Sequence, residues 1–139
     1  MPEGVGYGPQ STGSVGKTLN YIGEHVYAYS GGMPASTTSA VALEFTTGNH
    51  YLIGIFQVNQ ALQYAAANLT PVNMQITING EVVALMIVGY IGADSDTVGT
   101  QELLIPPNST LEVSLRFDAD QSTRLSCVTF NGKIYGKID

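Results

Sequence analysis

The chain reads as all-β, an antiparallel two-sheet sandwich of about eight strands, on three observations. In Val72–Ile91, Val72, Met74, Ile76 and Ile78 alternate with Asn73, Gln75 and Thr77, the period of a half-buried strand. Asn79-Gly80 follows, a dipeptide suited to the two positive φ angles of a type I′ turn, and the apolar run Glu81–Ile91 returns as the second strand of a hairpin. That second strand is too apolar to face water on one whole side, which predicts that it lies deep in a sheet. The second observation is Thr110–Phe117, where Leu111, Val113, Leu115 and Phe117 alternate with Glu112, Ser114 and Arg116. The third is that helical spacing is confined to one short Ala-rich segment, Gln60–Asn68.

The elements follow in order. Residues 1–20 are rich in Gly, Ser and Thr with almost nothing to bury, and predict a flexible arm whose anchors on a partner would be Tyr7 and Leu19. The folded domain then spans 21–139. Glu24–Ser30 reads as a strand with His25, Tyr27 and Tyr29 on one face and Val26 and Ala28 on the other, broken by Gly31-Gly32-Met33-Pro34. Ser39–Thr46 points Val41, Leu43 and Phe45 inward and Ala40, Ala42 and Glu44 outward. Thr47-Gly48-Asn49 turns the chain into His50–Asn59, with Leu52, Phe56 and Val58 on one face and Tyr51, Ile53 and Ile55 on the other. Gln60–Asn68 is the candidate helix, ended by Pro71 before the central hairpin.

Gly92–Gly99 is a polar loop, Gln101–Ile105 a short strand, and Pro106-Pro107-Asn108-Ser109 a turn into Thr110–Phe117. Arg124–Lys137 makes a long last strand with a bulge expected at Asn131-Gly132. Eight strands joined by turns of uneven length fit two four-stranded sheets wound as a jelly roll. An immunoglobulin-like sandwich usually carries a core Trp, and this chain has none.

Composition narrows the function. The 139 residues weigh 14.7 kDa and carry a net charge of −6. Charged residues are 12%, about half the usual share, so much of the surface is neutral and open to self-association. With five scattered Lys and Arg there is no basic stripe to neutralise phosphates, which argues against nucleic acid. No apolar run reaches the length of a membrane span, and MPEGVGYG does not read as a secretion signal, so synthesis in a host cytoplasm is expected. Cys127, the single cysteine, reads as a small core hydrophobe in the run Leu125–Phe130.

No residue cluster identifies a chemistry. Ser14–Thr18 ends like a P-loop, but Ser11 stands where its first Gly should be and a Gly-rich tail precedes it. Asp94-Ser95-Asp96 and Asp118-Ala119-Asp120 pair carboxylates on loops, yet neither continues into a full calcium loop. His25 and His50 are too few for zinc, Cys127 looks buried, and no G-x-S-x-G elbow occurs. Asn68-Leu69-Thr70 and Asn108-Ser109-Thr110 match the glycosylation triplet by chance, Asn108 being a turn former. No cofactor, metal or catalytic activity is expected. Tyr27, Tyr29 and Tyr51 on an exposed face suit either a sugar-stacking platform or a subunit interface, since each joins a large apolar ring to a polar tip.

Five segments carry a resemblance. Val26-Tyr27-Ala28-Tyr29-Ser30-Gly31, Leu43–Gly54 (LEFTTGNHYLIG), Asn79-Gly80-Glu81, Ile105–Val113 (IPPNSTLEV) and Thr129–Gly136 (TFNGKIYG) occur in that order. Together they resemble a group of small phage and marine-virus structural proteins, over most of the chain from Val26 to Gly136. The N-terminal arm and QALQYAAAN depart from the pattern. The resemblance implies a virion-associated jelly roll, most simply a capsid decoration (cement) protein that sits as a homotrimer on the major capsid protein. Alternatives of other kinds are a fibre or tail-tip domain that binds host glycans, and a subunit that itself builds the shell.

Overall fold

The computed structural model describes residues 19–62, 72–88, 97–118 and 121–137. They form ten strands: β1 (Asn20–Ile22), β2 (His25–Tyr29), β3 (Met33–Ala35), β4 (Ala40–Thr46), β5 (His50–Leu62), β6 (Val72–Ile78), β7 (Glu81–Val88), β8 (Thr97–Ile105), β9 (Thr110–Phe117) and β10 (Gln121–Lys137). One sheet has the order β1-β2-β10-β5-β8, with β3 also on β10; the other has the order β4-β9-β6-β7. Every pairing is antiparallel.

The topology has a simple origin. β6 pairs with β7, β5 with β8, β4 with β9 and β2 with β10, a nested set around the Asn79-Gly80 hairpin. The chain is thus one long antiparallel ribbon doubled back on that hairpin. Rolling the ribbon brings β5 beside β10 and β6 beside β9, which closes the two sheets of a jelly roll. Asn79 and Gly80 have φ of 53° and 86°, the two left-handed positions the turn requires.

The inward faces meet as predicted along most strands. Leu111, Val113, Leu115 and Phe117 of β9 are buried, as are Leu52, Phe56 and Val58 of β5 and Val72, Met74 and Ile76 of β6. Phe130 of β10 stands directly opposite Phe56, ring centroids 4.6 Å apart, and reaches Phe45 of the other sheet at 5.3 Å. The next inward rung pairs Gly132 with Gly54. A Cβ on Gly54 would fall 2.4 Å from the Phe130 ring and 2.8 Å from the Asn131 carbonyl; one on Gly132 would fall 2.7 Å from the Ile53 carbonyl. Two side-chain-free positions leave the floor on which the central ring lies.

The turns are tied together at one end. Thr47 and Ser109 are buried there; the Thr47 N–H donates to the Ser109 carbonyl at 2.8 Å and the Ser109 N–H to Thr47 Oγ1 at 2.9 Å. The Thr47 hydroxyl donates to the Pro106 carbonyl at 2.9 Å. Asn79 exchanges two bonds with Thr110, its N–H donating at 2.8 Å and its Oδ1 accepting at 2.9 Å. Asn108 takes a positive φ, 53°, as a turn former. Near the start of the ribbon, Ser30 Oγ accepts the Val128 N–H at 2.8 Å across 98 residues of chain.

Several expectations are corrected. The described strands number ten, in sheets of six and four, rather than about eight in two sheets of four. Asn20–Ile22 and Met33–Ala35 add short strands to the larger sheet, the latter overlapping the expected break, and β8 starts at Thr97, inside the expected Gly92–Gly99 loop. β7 is an edge strand, paired only with β6 among the described residues, and Leu85 and Ile87 are 70% and 71% exposed. Apolar content misplaced it because a hairpin at the apex of a ribbon has one strand inside and one outside. No helix occurs among the described residues: Gln60–Leu62 continue β5 opposite Arg124–Ser126, since a ladder partner satisfies their backbone better than an isolated short helix could. The rest of that candidate, 63–68, lies outside the described residues.

In β4 the alternation slips at a bulge between Val41 and Leu43, so Ala42 is buried at 4% and Val41 is 42% exposed. The irregularities of β10 fall between Gln121 and Leu125 and between Ile134 and Gly136, while Asn131 and Gly132 keep register. Leu19, expected to anchor on a partner, packs into this chain's own core at 5% exposure, and Asn20 already belongs to β1. Cys127 is half-buried on the outer side of its strand, because the larger apolar Val128 and Phe130 set the inward phase of β10.

Candidate functional surfaces

Two outward surfaces carry side chains that the fold does not use. The first is the outer face of the larger sheet. Antiparallel register lines up Tyr27, Asn131, Ile55 and Glu102 on one rung, with His25, Lys133, Ile53 and Leu104 on the next. Tyr27 and Tyr29 lie two residues apart on β2, hence on one side, and their rings stand 5.2 Å apart with a 38° tilt. Ile22, His25, Tyr27, Tyr29 and Asn131 border a shallow depression there. The depression offers aromatic faces, an imidazole and an amide, a set able to cover an apolar or sugar ring and hydrogen-bond its rim.

Of the residues singled out in the sequence, the structure brings Tyr27 and Tyr29 together. Tyr51 stands four positions along β5 from Ile55 and two strands from Tyr27, roughly 16 Å away at ordinary strand spacing. Tyr7 lies outside the described residues, and Leu19 is in the core. Asn131, Ile22 and the 69% exposed Tyr135 were missed. Tyr135 and Asn131 were legible once Val128 and Phe130 are taken as inward, since odd positions of β10 then face out.

The second surface belongs to β7 and its neighbours. Val82, Leu85 and Ile87 face outward beside Thr77, Gln75 and Asn73 of β6, and Val83 is the extra residue at a bulge against Ile76 and Thr77. Val82 and Val83 are exposed as well as Leu85 and Ile87. A groove next to them is bordered by Ser39, Asn73, Gln75, Ser114 and Arg116. Within β7 only Glu81, at its start, is charged, and Pro and Lys are absent. Exposed edge strands normally carry Lys, Pro or inward charge to prevent pairing, and this edge carries none of them.

Catalytic chemistry finds no assembled group among the described residues. Cys127 pairs with Asn59, nine positions along β5 from His50, and lies six positions along β10 from Lys133, the partner of His25. At about 3.3 Å per residue these gaps are roughly 30 Å and 20 Å, so neither histidine can serve as its base. No group of three or more His, Cys, Asp or Glu side chains is placed to hold a metal among the described residues. Asp94, Asp96 and Ser14–Thr18 lie outside them, and Asp118 is an exposed bend residue. No described helix is long and apolar enough to cross a membrane.

His50 is occupied otherwise. Its Nε2 is 3.3 Å from the Tyr21 hydroxyl, and the two rings meet edge-on with centroids 5.8 Å apart. Burial pushes the Tyr21 phenol above its ordinary pKa, because the phenolate would lose hydration there.

Comparison with known proteins yields little. No protein-family model matches the chain, and neither does any curated protein. Among solved structures it is similar to the C-terminal domain of EclA, a sugar-binding protein, at 12% identity and a TM-score of 0.41 over 75% of this chain and 76% of that one. A likeness of that order bears on neither ligand nor partner.

Proposed function

We propose that the chain is a non-enzymatic structural protein of a virion, a capsid decoration protein that stabilises the head through contacts with its own copies and with the major capsid protein. The observation that carries the contact-driven part is β7, an eight-residue apolar strand at the sheet edge among the described residues, with Val82, Val83, Leu85 and Ile87 exposed on a charge-poor body. Surfaces of this kind gain stability when buried against protein, at about 25 cal/mol per Å² of apolar area before the losses on association. The virion setting rests on the resemblance of the five segments. Particles assembled with and without the chain provide the test. Particles lacking it are expected to release their contents at lower temperature or milder osmotic shock, and equal stability overturns the decoration role.

A second reading is favoured by one specific feature, the Tyr27–Tyr29 pair over the depression with His25 and Asn131. In this reading the chain is a fibre or tail-tip domain that binds host glycans. Glycan-array binding by the full chain that is lost in Tyr29→Ala would establish it, and a flat array removes it.

A further inference from the structure

We propose that β7 is completed by β7 of a second copy, antiparallel across a two-fold axis, joining two four-stranded sheets into one of eight strands. The inference deepens the contact-driven reading above by naming the occupant of the bare edge. Among the described residues no strand pairs with the outer edge of β7, whose backbone N–H and C=O groups another strand would satisfy in series. The segment 1–18 of the same chain is a poor candidate, with two Pro and five Gly against an edge eight residues long. A second β7 meets every requirement.

The register follows from the pleat. Residues directly opposed in an antiparallel pair put their side chains on the same face, so outward positions must oppose outward ones. Beyond the bulge at Val83, Leu85 and Ile87 point outward and Ala84 and Met86 inward. The two-fold register that keeps faces matched and uses most of the strand therefore centres on Leu85, opposite its own copy, with Ala84 opposite Met86. Charge is compatible with it. Glu81, the charged residue of β7, lies at the start of the strand, so the two copies of Glu81 fall at opposite ends of the pair. Apolar side chains then face apolar side chains along the join, and Leu85 and Ile87, largely exposed in a single copy, each gain an apolar cross-strand neighbour.

Because Leu85 would face itself, a charge exchange tests both the pairing and its register. The full-length protein is expected to show twice 14.7 kDa by light scattering, falling to a monomer on dilution. Leu85→Lys and Leu85→Glu each place like charges in direct opposition, and each should weaken the dimer at least roughly ten-fold. An equimolar mixture of the two variants should restore the dimer mass. Leu85 is exposed, so both variants should fold, and thermal unfolding of the monomer checks that. Should either fail to fold, the same exchange at Ile87 replaces it, with each charge then displaced from the axis and a smaller loss expected.

A monomer at every concentration overturns the proposal, as does a dimer unaffected by either variant. A stable mass of three times 14.7 kDa overturns it in favour of the trimer that the resemblance implies. Particle stability is measured separately, so loss of the β7 pair and loss of the decoration role remain distinguishable.

Discussion

β9 and β7 are both eight residues long and flank the same strand, β6, yet they have opposite fates. β9 alternates four buried apolar residues with Glu112, Ser114 and Arg116, and its inward side chains are almost wholly enclosed. β7 is the more apolar strand and the less buried one. Hydrophobic content thus does not rank strands by depth within one chain. It sets how much apolar surface a strand offers for covering, and the fold covers that of β9 while leaving Leu85 and Ile87 of β7 exposed. The difference is one of position in the ribbon. β9 has neighbours on both sides because the roll carries β6 against it, whereas β7 sits at the apex with a neighbour on one side among the described residues.

The same substitution in the two strands breaks the comparison most sharply. Leu115→Ala, at a 1% exposed site, is expected to destabilise by about 2–5 kcal/mol in denaturant unfolding. Leu85→Ala should change monomer stability by less than about 0.5 kcal/mol and weaken self-association instead. Comparable losses at both positions would mean that β7 is covered within the monomer.

A smaller effect is expected at the junction of β5 and β10, the longest pairing among the described residues. Gly54→Ala pushes a methyl into the Phe130 ring and the Asn131 carbonyl, and overpacking of that kind should cost about 1–3 kcal/mol. Unchanged unfolding would show that Phe130 can move aside, and so that the centre of the roll is looser than its rim comparison implies.

The smallest effect lies at the other rim, where the three-residue β1 holds Tyr21 against His50. The folded-state pKa of Tyr21 is raised above its unfolded value near 10, through burial. The folded state then holds the phenolic proton after the unfolded chain has released it. Stability is therefore fully present below about pH 10 and falls as the pH rises through the folded pKa. Tyr21→Phe should remove that alkaline slope, read as the pH dependence of the unfolding midpoint, and an identical slope in the variant would assign it to other groups.

Most inward faces were legible because alternation is a local property, and β5, β6 and β9 show it without interruption. The errors cluster where one extra residue shifts the phase, as at Val41–Ala42, or where two phases compete, as at Cys127 against Val128 and Phe130. The five segments behind the resemblance proved to be structural fittings. Thr47, Asn79 and Ser109 knot the turns at one end, Ser30 joins β2 to β10, and Gly54 and Gly132 seat Phe130. Such residues speak for the fold more than for a role.

By itself the amino-acid order determined most of the longer strands, the Asn79-Gly80 apex and the surface poor in charge, since period, turn chemistry and composition act over a few residues. Which strands became edges, that Tyr27 and Tyr29 meet without Tyr51, and that Leu85 and Ile87 stay bare were decided only by tertiary structure. Those outcomes depend on partners as far as 98 residues away, as Ser30 and Val128 are. The rolling of the ribbon chooses them, and no local pattern records that choice.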